Sequence, residues 1–389
     1  MDIKPAERVR ALPPYLIAEL DRRKRARVAA GHDVIDFGVG APDRPPRSFI
    51  VERLKQAADQ PANHRYTLGH GCPAFREQAA AFMEARYGVR LEPHREILTL
   101  IGSKEGIGHL PLALVDPGRG VLIPNPGYPA YRSGTIYAGG VPHDLPLTEQ
   151  RGWLPDLDAV PAAVADNAVL LYLNYPNNPT GACAPMSLFE QAVDWARRHE
   201  VLLVHDAAYN EMYFGDERPP SVLQVPGARE VAIEFHSTSK TFNMTGWRLA
   251  FAAGHAGALA ALARLKVNLD SGQFAPIQEG GIAAYAAFDR PEFDEDRAMY
   301  RRRAELLAGG LREMGLRAPD PRATFYVWAG LPPGVDSIQA ANRLLEQADV
   351  VAIPGVTFGS GGEGFLRFAT TVDLERTQAA LDRMRKLSW

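Results

Sequence analysis

Residues 201–204 read Val-Leu-Leu-Val, four apolar positions with no polar alternate. A strand with one wet face alternates, so a run apolar throughout has to be covered on both faces. That points to a sheet with helices above and below it. The surrounding chain fits the demand. From residue 98 onward, strand-like runs at 98–101, 121–123, 169–173, 201–204, 231–235 and 249–253 alternate with helical segments such as 103–115. The expected class is α/β, with a large domain over residues 46–290 built on a mainly parallel central sheet between helices. After Pro291 the pattern changes. A long helix over 292–314, the run Thr324-Phe325-Tyr326-Val327-Trp328, a helix over 337–347, strand-like runs at 350–353 and 365–369 and a closing helix from Asp373 describe a smaller α+β domain. Residues 1–45 form an arm: a helix near 15–30, a short strand around 34–37 and the loop Gly38 to Asp43. The arm joins 291–389 in the second domain. Helices at 48–58 and 74–87 flank a polar loop, 63–71.

Composition narrows the function classes. A net charge of −3 over 389 residues gives no field for nucleic acid or an anionic membrane. The basic cluster at 22–27 reads as the solvated face of the first helix. Two cysteines, Cys72 and Cys183, make neither a disulfide framework nor a metal-ligand spacing, so no metal is expected and a cytoplasmic location is. Residues 1–5 lack an apolar signal core, and no run reaches membrane-spanning length.

Only seven of the 43 basic residues are lysine, so a lysine in a turn between two apolar strands calls for a reason. Lys240 stands in such a turn. Unlike arginine, a partly buried lysine can lose its proton and attack a carbonyl. Ser237, Ser239 and Arg248 surround it in sequence. A lysine for an aldehyde, with hydroxyls and a guanidinium for a phosphate, is what pyridoxal 5'-phosphate (PLP) requires. Asp206 follows the 201–205 strand, where an α/β fold places ligand contacts; it is either an anion for the PLP ring nitrogen or the cap of a following helix. Tyr209 lies three residues on. The turn Asn174-Tyr175-Pro176-Asn177-Asn178-Pro179-Thr180-Gly181 fixes a rigid loop at the sheet's carboxyl edge. Gly102-Ser103-Lys104-Glu105-Gly106, between strand and helix, is either a phosphate cradle or an ordinary capped helix start.

Asn177-Asn178-Pro179-Thr180-Gly181, Asp206-x-x-Tyr209, Ser237-x-Ser239-Lys240 with Arg248, and Arg367 in Phe365-Leu366-Arg367-Phe368 together resemble the class I/II aminotransferases of PLP fold type I. The resemblance covers residues 30–370. It implies Lys240 as the lysine bonded to PLP, Asp206 opposite the ring nitrogen, and Tyr209 and Asn178 at the phenolic oxygen. Tyr128, in Pro126-Gly127-Tyr128-Pro129, would stack on the ring. Ser103, Lys104, Ser237, Ser239 and Arg248 would hold the phosphate, and Tyr66 would reach the phosphate of the other subunit in a homodimer with shared sites. Arg367 would clamp the substrate carboxylate beside Gly40, with Asn178 and Tyr15 also at the substrate. Other candidates for the side-chain pocket are Lys104, Glu105, 266–273 and 354–358. Segments 101–107, 124–132 and 235–248 are further similar to bacterial LL-diaminopimelate aminotransferases, with N-succinyl-diaminopimelate, aspartate and alanine aminotransferases close by. The implied reaction is a ping-pong transfer between an L-amino acid and a 2-oxo acid such as 2-oxoglutarate. A C–S β-lyase on the same fold is the alternative. The partners expected are these small molecules and a second copy of the chain.

Overall fold

The computed structural model describes residues 1, 3–13, 16–67 and 69–387. Twelve strands occur in it: β1 (Ile35–Asp36), β2 (Ile97–Leu100), β3 (Gly120–Asn125), β4 (Val141–Pro146), β5 (Ala168–Leu173), β6 (Leu202–Asp206), β7 (Ala232–Ser237), β8 (Ala250–Gly254), β9 (Tyr326–Gly330), β10 (Val350–Val351), β11 (Ile353–Pro354) and β12 (Phe365–Ala369). Seven form one sheet in the order β2-β8-β7-β6-β5-β3-β4. Strands β3 to β7 pair in parallel, and β8 alone opposes its neighbours β2 and β7. The β7–β8 connection holds only the single helical turn Thr238–Thr241 and the 3-10 turn Thr245–Trp247, too little to carry the chain back across the sheet, so the chain returns antiparallel.

The apolar run at 201–204 is split as its composition demands. Leu203 packs with Phe82, Phe189, Trp195 and Phe251 on one face. Val204 packs with Ile107, Tyr131, Tyr172 and Phe235 on the other. Helix Met186–His199 covers the first face through Leu188, Phe189, Val193 and Trp195. Helix Ser103–Leu114 presents Ile107 and Leu110 to the second. Each such fully buried side chain stabilises the fold by about 1.5–3 kcal/mol.

Strands β11, β12 and β9 make a second, antiparallel sheet, and β1 pairs in parallel with β10. Ile35 and Phe37 of the arm are buried against Leu307, Leu311, Val327, Leu344, Phe368 and Leu381. The single strand expected at 350–353 is broken at Ala352, because β10 pairs with the arm whereas β11 pairs with β12. Strand β4 was not evident in the sequence. The first long helix is Leu16–Ala29; Tyr15, given as its start and as a substrate contact, lies outside the described residues. Its basic cluster is only partly a solvated face. Lys24 bonds Asp36 at 2.9 Å, Arg27 bonds Asp349 at 2.7 Å, and Arg23 reaches Asn342 and Glu346.

One charged group is fully enclosed below the carboxyl ends of β6 and β7. Glu234 accepts from Ser221 Oγ at 2.7 Å and Val222 N at 2.9 Å, and its oxygens lie 2.7 Å from His205 Nδ1 and 2.6 Å from His236 Nε2. Burial pushes its pKa up, but the His236 and His205 imidazoles outweigh burial and hold it below the ordinary carboxylate range. A depressed folded pKa stabilises the native state above the unfolded value, near 4.3 for glutamate, and that gain is lost as pH falls below it. Glu234→Gln is expected to lower unfolding free energy by about 1.5–3 kcal/mol at neutral pH. Denaturant titrations at several pH values should show the deficit shrinking on acidification; a deficit independent of pH would contradict this role.

Candidate active site

The carboxyl ends of β2, β3, β5, β6 and β7 lie on one edge of the sheet, and Ser103, Tyr128, Asn178, Asp206 and Lys240 stand at or shortly after them. Lys240 sits in the single turn Thr238–Thr241 after β7. Its Nζ donates to the Gly40 carbonyl at 2.8 Å and lies 5.7 Å from the centre of the Phe325 ring. Burial, then the Arg248 and Arg367 guanidinium groups, bring its pKa down to about 8, with Asp206 pulling the other way. An ordinary lysine titrates near 10.4. A sizeable fraction of this amine is therefore neutral near physiological pH, as nucleophilic or proton-transfer chemistry requires.

Asp206 is buried at the end of β6. Its Oδ2 accepts from Tyr131 Oη at 2.8 Å and its Oδ1 from Ala208 N at 3.3 Å. Burial raises its pKa, opposed chiefly by the Tyr131 hydrogen bond. No helix starts after it, so the capping reading falls. A buried carboxylate with one good donor is suited to a cationic partner.

The turn at Gly102 lies against Arg248. Helix Ser103–Leu114 starts with no side-chain cap, and Gly102 has φ +76°. A Cβ there would overlap the Arg248 guanidinium. Arg248 itself donates to Thr245 O at 3.0 Å and is held through its carbonyl by Gln273 Nε2 at 2.6 Å. A guanidinium beside the positive end of a helix is unfavourable until an anion lies between them. Ser237 and Ser239 are buried next to it, with Ser239 N donating to Ser237 Oγ at 3.2 Å. The geometry fits a phosphate.

Asn178 and Arg367 meet directly. Arg367 Nη1 donates to Asn178 Oδ1 at 2.9 Å and Nη2 to Gly38 O at 3.2 Å, while its Nε is buried without a partner. The guanidinium lies over the Tyr326 ring at 4.3 Å and the Phe358 ring at 4.7 Å. Asn174 sets the loop by donating to Asp206 O at 2.7 Å and accepting from Asn178 N at 2.8 Å. Tyr209 Oη lies 2.9 Å from Tyr326 Oη. Tyr128 is half-buried at the start of helix Pro129–Tyr137, edge-on to Tyr131.

Four expected residues stand apart. Lys104 is exposed. Tyr66 is 80% exposed, on a loop tied to Gln273 O by Thr67 Oγ1 at 2.6 Å. Glu105 and Lys266 bond each other at 2.9 Å, and His109 and Asp270 complete the cluster, so these side chains are engaged among themselves. Sequence reasoning missed Tyr131, Tyr326 and Asn174. Tyr131 had a signal, lying three residues from Tyr128 and hence on the same face of a helix.

An amine with a depressed pKa, a buried carboxylate and two guanidinium groups act on one another at this sheet edge, an arrangement suited to a PLP-dependent enzyme of fold type I. The chain belongs to the family "Aminotransferase class I and II", whose profile matches residues 32–384. It is 50% identical over 384 residues to an LL-diaminopimelate aminotransferase of Syntrophobacter fumaroxidans, covering 99% of each chain. To the protein of that name from Desulforudis audaxviator it is 49% identical over 387 residues, covering 99% of this chain and 98% of the other. A solved structure from Thermus thermophilus, described as a probable N-succinyldiaminopimelate aminotransferase, superposes with a TM-score of 0.91 at 40% identity, covering 95% of this chain and 99% of that one. The protein is a PLP-dependent aminotransferase. No helix among the described residues is long and apolar enough to cross a membrane.

Proposed function

We propose that this aminotransferase moves an amino group from LL-diaminopimelate, or a closely related L-amino acid, to a 2-oxo acid such as 2-oxoglutarate, as a cytoplasmic homodimer. The observation that carries the site reading is the convergence of Lys240, Asp206, Arg248 and Arg367 on one edge of the sheet. The names of the relatives support the donor. The Thermus thermophilus structure supports N-succinyl-diaminopimelate as the second candidate. Residues 46–290 are proposed as the cofactor-binding domain, and 1–45 with 291–389 as the smaller one.

Bound PLP supplies an aldehyde that joins the substrate amine and a ring that accepts the electrons released at Cα. Lys240 Nζ removes the Cα proton and returns it there in the reverse half-reaction. Asp206 would face the ring nitrogen and keep it protonated. Tyr209 and Asn178 would donate to the phenolic oxygen, and Tyr128 would cover the ring. The backbone at Ser103 and Lys104, with Ser237, Ser239 and Arg248, would hold the phosphate. The partner subunit's Tyr66 adds a hydroxyl there, which accounts for an aromatic residue left exposed on a polar loop. Arg367, beside Gly40, grips the α-carboxylate with its planar fork.

Purified holoenzyme should form glutamate from 2-oxoglutarate with LL-diaminopimelate as donor, in a panel that also holds the N-succinyl derivative, aspartate, alanine and cystathionine. Glutamate from none of the donors, or pyruvate release from cystathionine alone, would contradict transamination. Arg367→Lys should raise KM for donor and oxo acid together by about 10- to 100-fold, because an ammonium lacks the fork and one charge-assisted bond contributes about 1.5–3 kcal/mol. Unchanged KM values would remove Arg367 from the carboxylate site.

A further inference from the structure

Tyr326, the first residue of β9, touches three of the residues assigned above. Its hydroxyl is 2.9 Å from Tyr209 Oη, and its ring lies 4.3 Å beneath the Arg367 guanidinium. The same hydroxyl is pressed against Gly40, where any Cβ would overlap it. Tyr326 and Tyr209 are both buried, so neither hydroxyl can rely on bulk water for a partner.

We propose that Tyr326 is a positioning residue: its hydroxyl donates to Tyr209 Oη, which frees the Tyr209 proton for the phenolic oxygen of PLP, while its ring supports Arg367. The inference rests on the reading that Tyr209 faces that oxygen. Only one hydrogen can lie between the two phenols. If Tyr209 supplied it, no proton would remain for the cofactor. Donors in series also polarise one another, so Tyr326 makes Tyr209 the stronger donor. Burial raises the Tyr209 pKa and keeps that phenol protonated. The charged groups acting on Tyr209 include Arg367 and Asp206, and Tyr326→Phe alters neither.

The two contacts separate by mutation. Tyr326→Phe removes the hydroxyl and keeps the ring; Tyr326→Leu removes both. Weaker donation leaves more negative charge on the phenolic oxygen, so the Lys240 nitrogen beside it keeps its proton to higher pH. The readouts are the pH midpoint of the visible cofactor band in holoenzyme and KM for 2-oxoglutarate. Tyr209→Phe serves as reference and should move the midpoint upward. Tyr326→Phe should move it the same way by about 0.4–1 pH unit, the size of one hydrogen bond, with KM essentially unchanged. Tyr326→Leu should add a rise in KM of about 3- to 30-fold from the lost cation–π support. If Tyr209→Phe shifts the band and Tyr326→Phe does not, the inference is overturned and the Tyr209 assignment stands. If Tyr209→Phe itself leaves the midpoint in place, the Tyr209 assignment falls and the inference falls with it. A KM rise in Tyr326→Phe without a band shift would show mere packing and also overturn it. Should the leucine variant fail to fold, the phenylalanine variant decides alone.

Discussion

Lys240→Ala is expected to lower the transamination rate by at least about four orders of magnitude while leaving the fold intact. The side chain is half-buried at the sheet's edge, so its loss removes one donor to Gly40 O and opens no sealed core cavity. The loss is chemical. In the described site no other lysine approaches the position of the Lys240 amine: Lys104 is exposed and Lys266 is bonded to Glu105 and Asp270. Lys240→Arg should be equally inactive, because it keeps the charge but cannot give up a proton. That pair separates proton transfer from simple electrostatics. Single-turnover absorbance changes with added amino donor would measure both. Retention of more than a tenth of the wild-type rate (about 1.4 kcal/mol on the barrier) in either variant would assign the proton to another group.

Asp206→Asn carries the second largest expected effect. An amide at this position can still accept from Tyr131 Oη, so thermal stability of the cofactor-free protein should hold. It cannot balance a protonated ring nitrogen. Removing one member of a buried charge pair costs about 3–5 kcal/mol, so kcat should fall by about 10²- to 10⁴-fold, with weaker PLP retention. In the cofactor-free chain burial raises the Asp206 pKa, and a cation placed opposite reverses that pull. Near-wild-type kcat would mean that the ring nitrogen faces something else.

The central sheet was legible because its strands must be apolar on both faces, as Leu203 and Val204 show by packing into opposite cores. Strand β4 was not, since Val-Pro-His-Asp-Leu-Pro is an edge strand with largely uncovered side chains, and such a strand carries no apolar run. The break at Ala352 depends on two different pairing partners, which local pattern does not encode. Lys240 was legible from chemistry, being a rare residue type in an expensive place. Asp206 was ambiguous until the chain after it proved not to be helical. The Gly102 turn was ambiguous because Arg248, which packs against it, is distant in sequence. Tyr326 could not be picked out of Phe325-Tyr326-Val327-Trp328, where neighbouring aromatics are all buried and the alternation that would sort them is lost.

The most direct measurement is borohydride reduction of the holoenzyme, followed by proteolysis and mass spectrometry of the labelled peptide. The pyridoxyl adduct is predicted on Lys240, within the segment that joins β7 to β8. An adduct on Lys104 or Lys266, with Lys240 unmodified, would contradict the placement of the site.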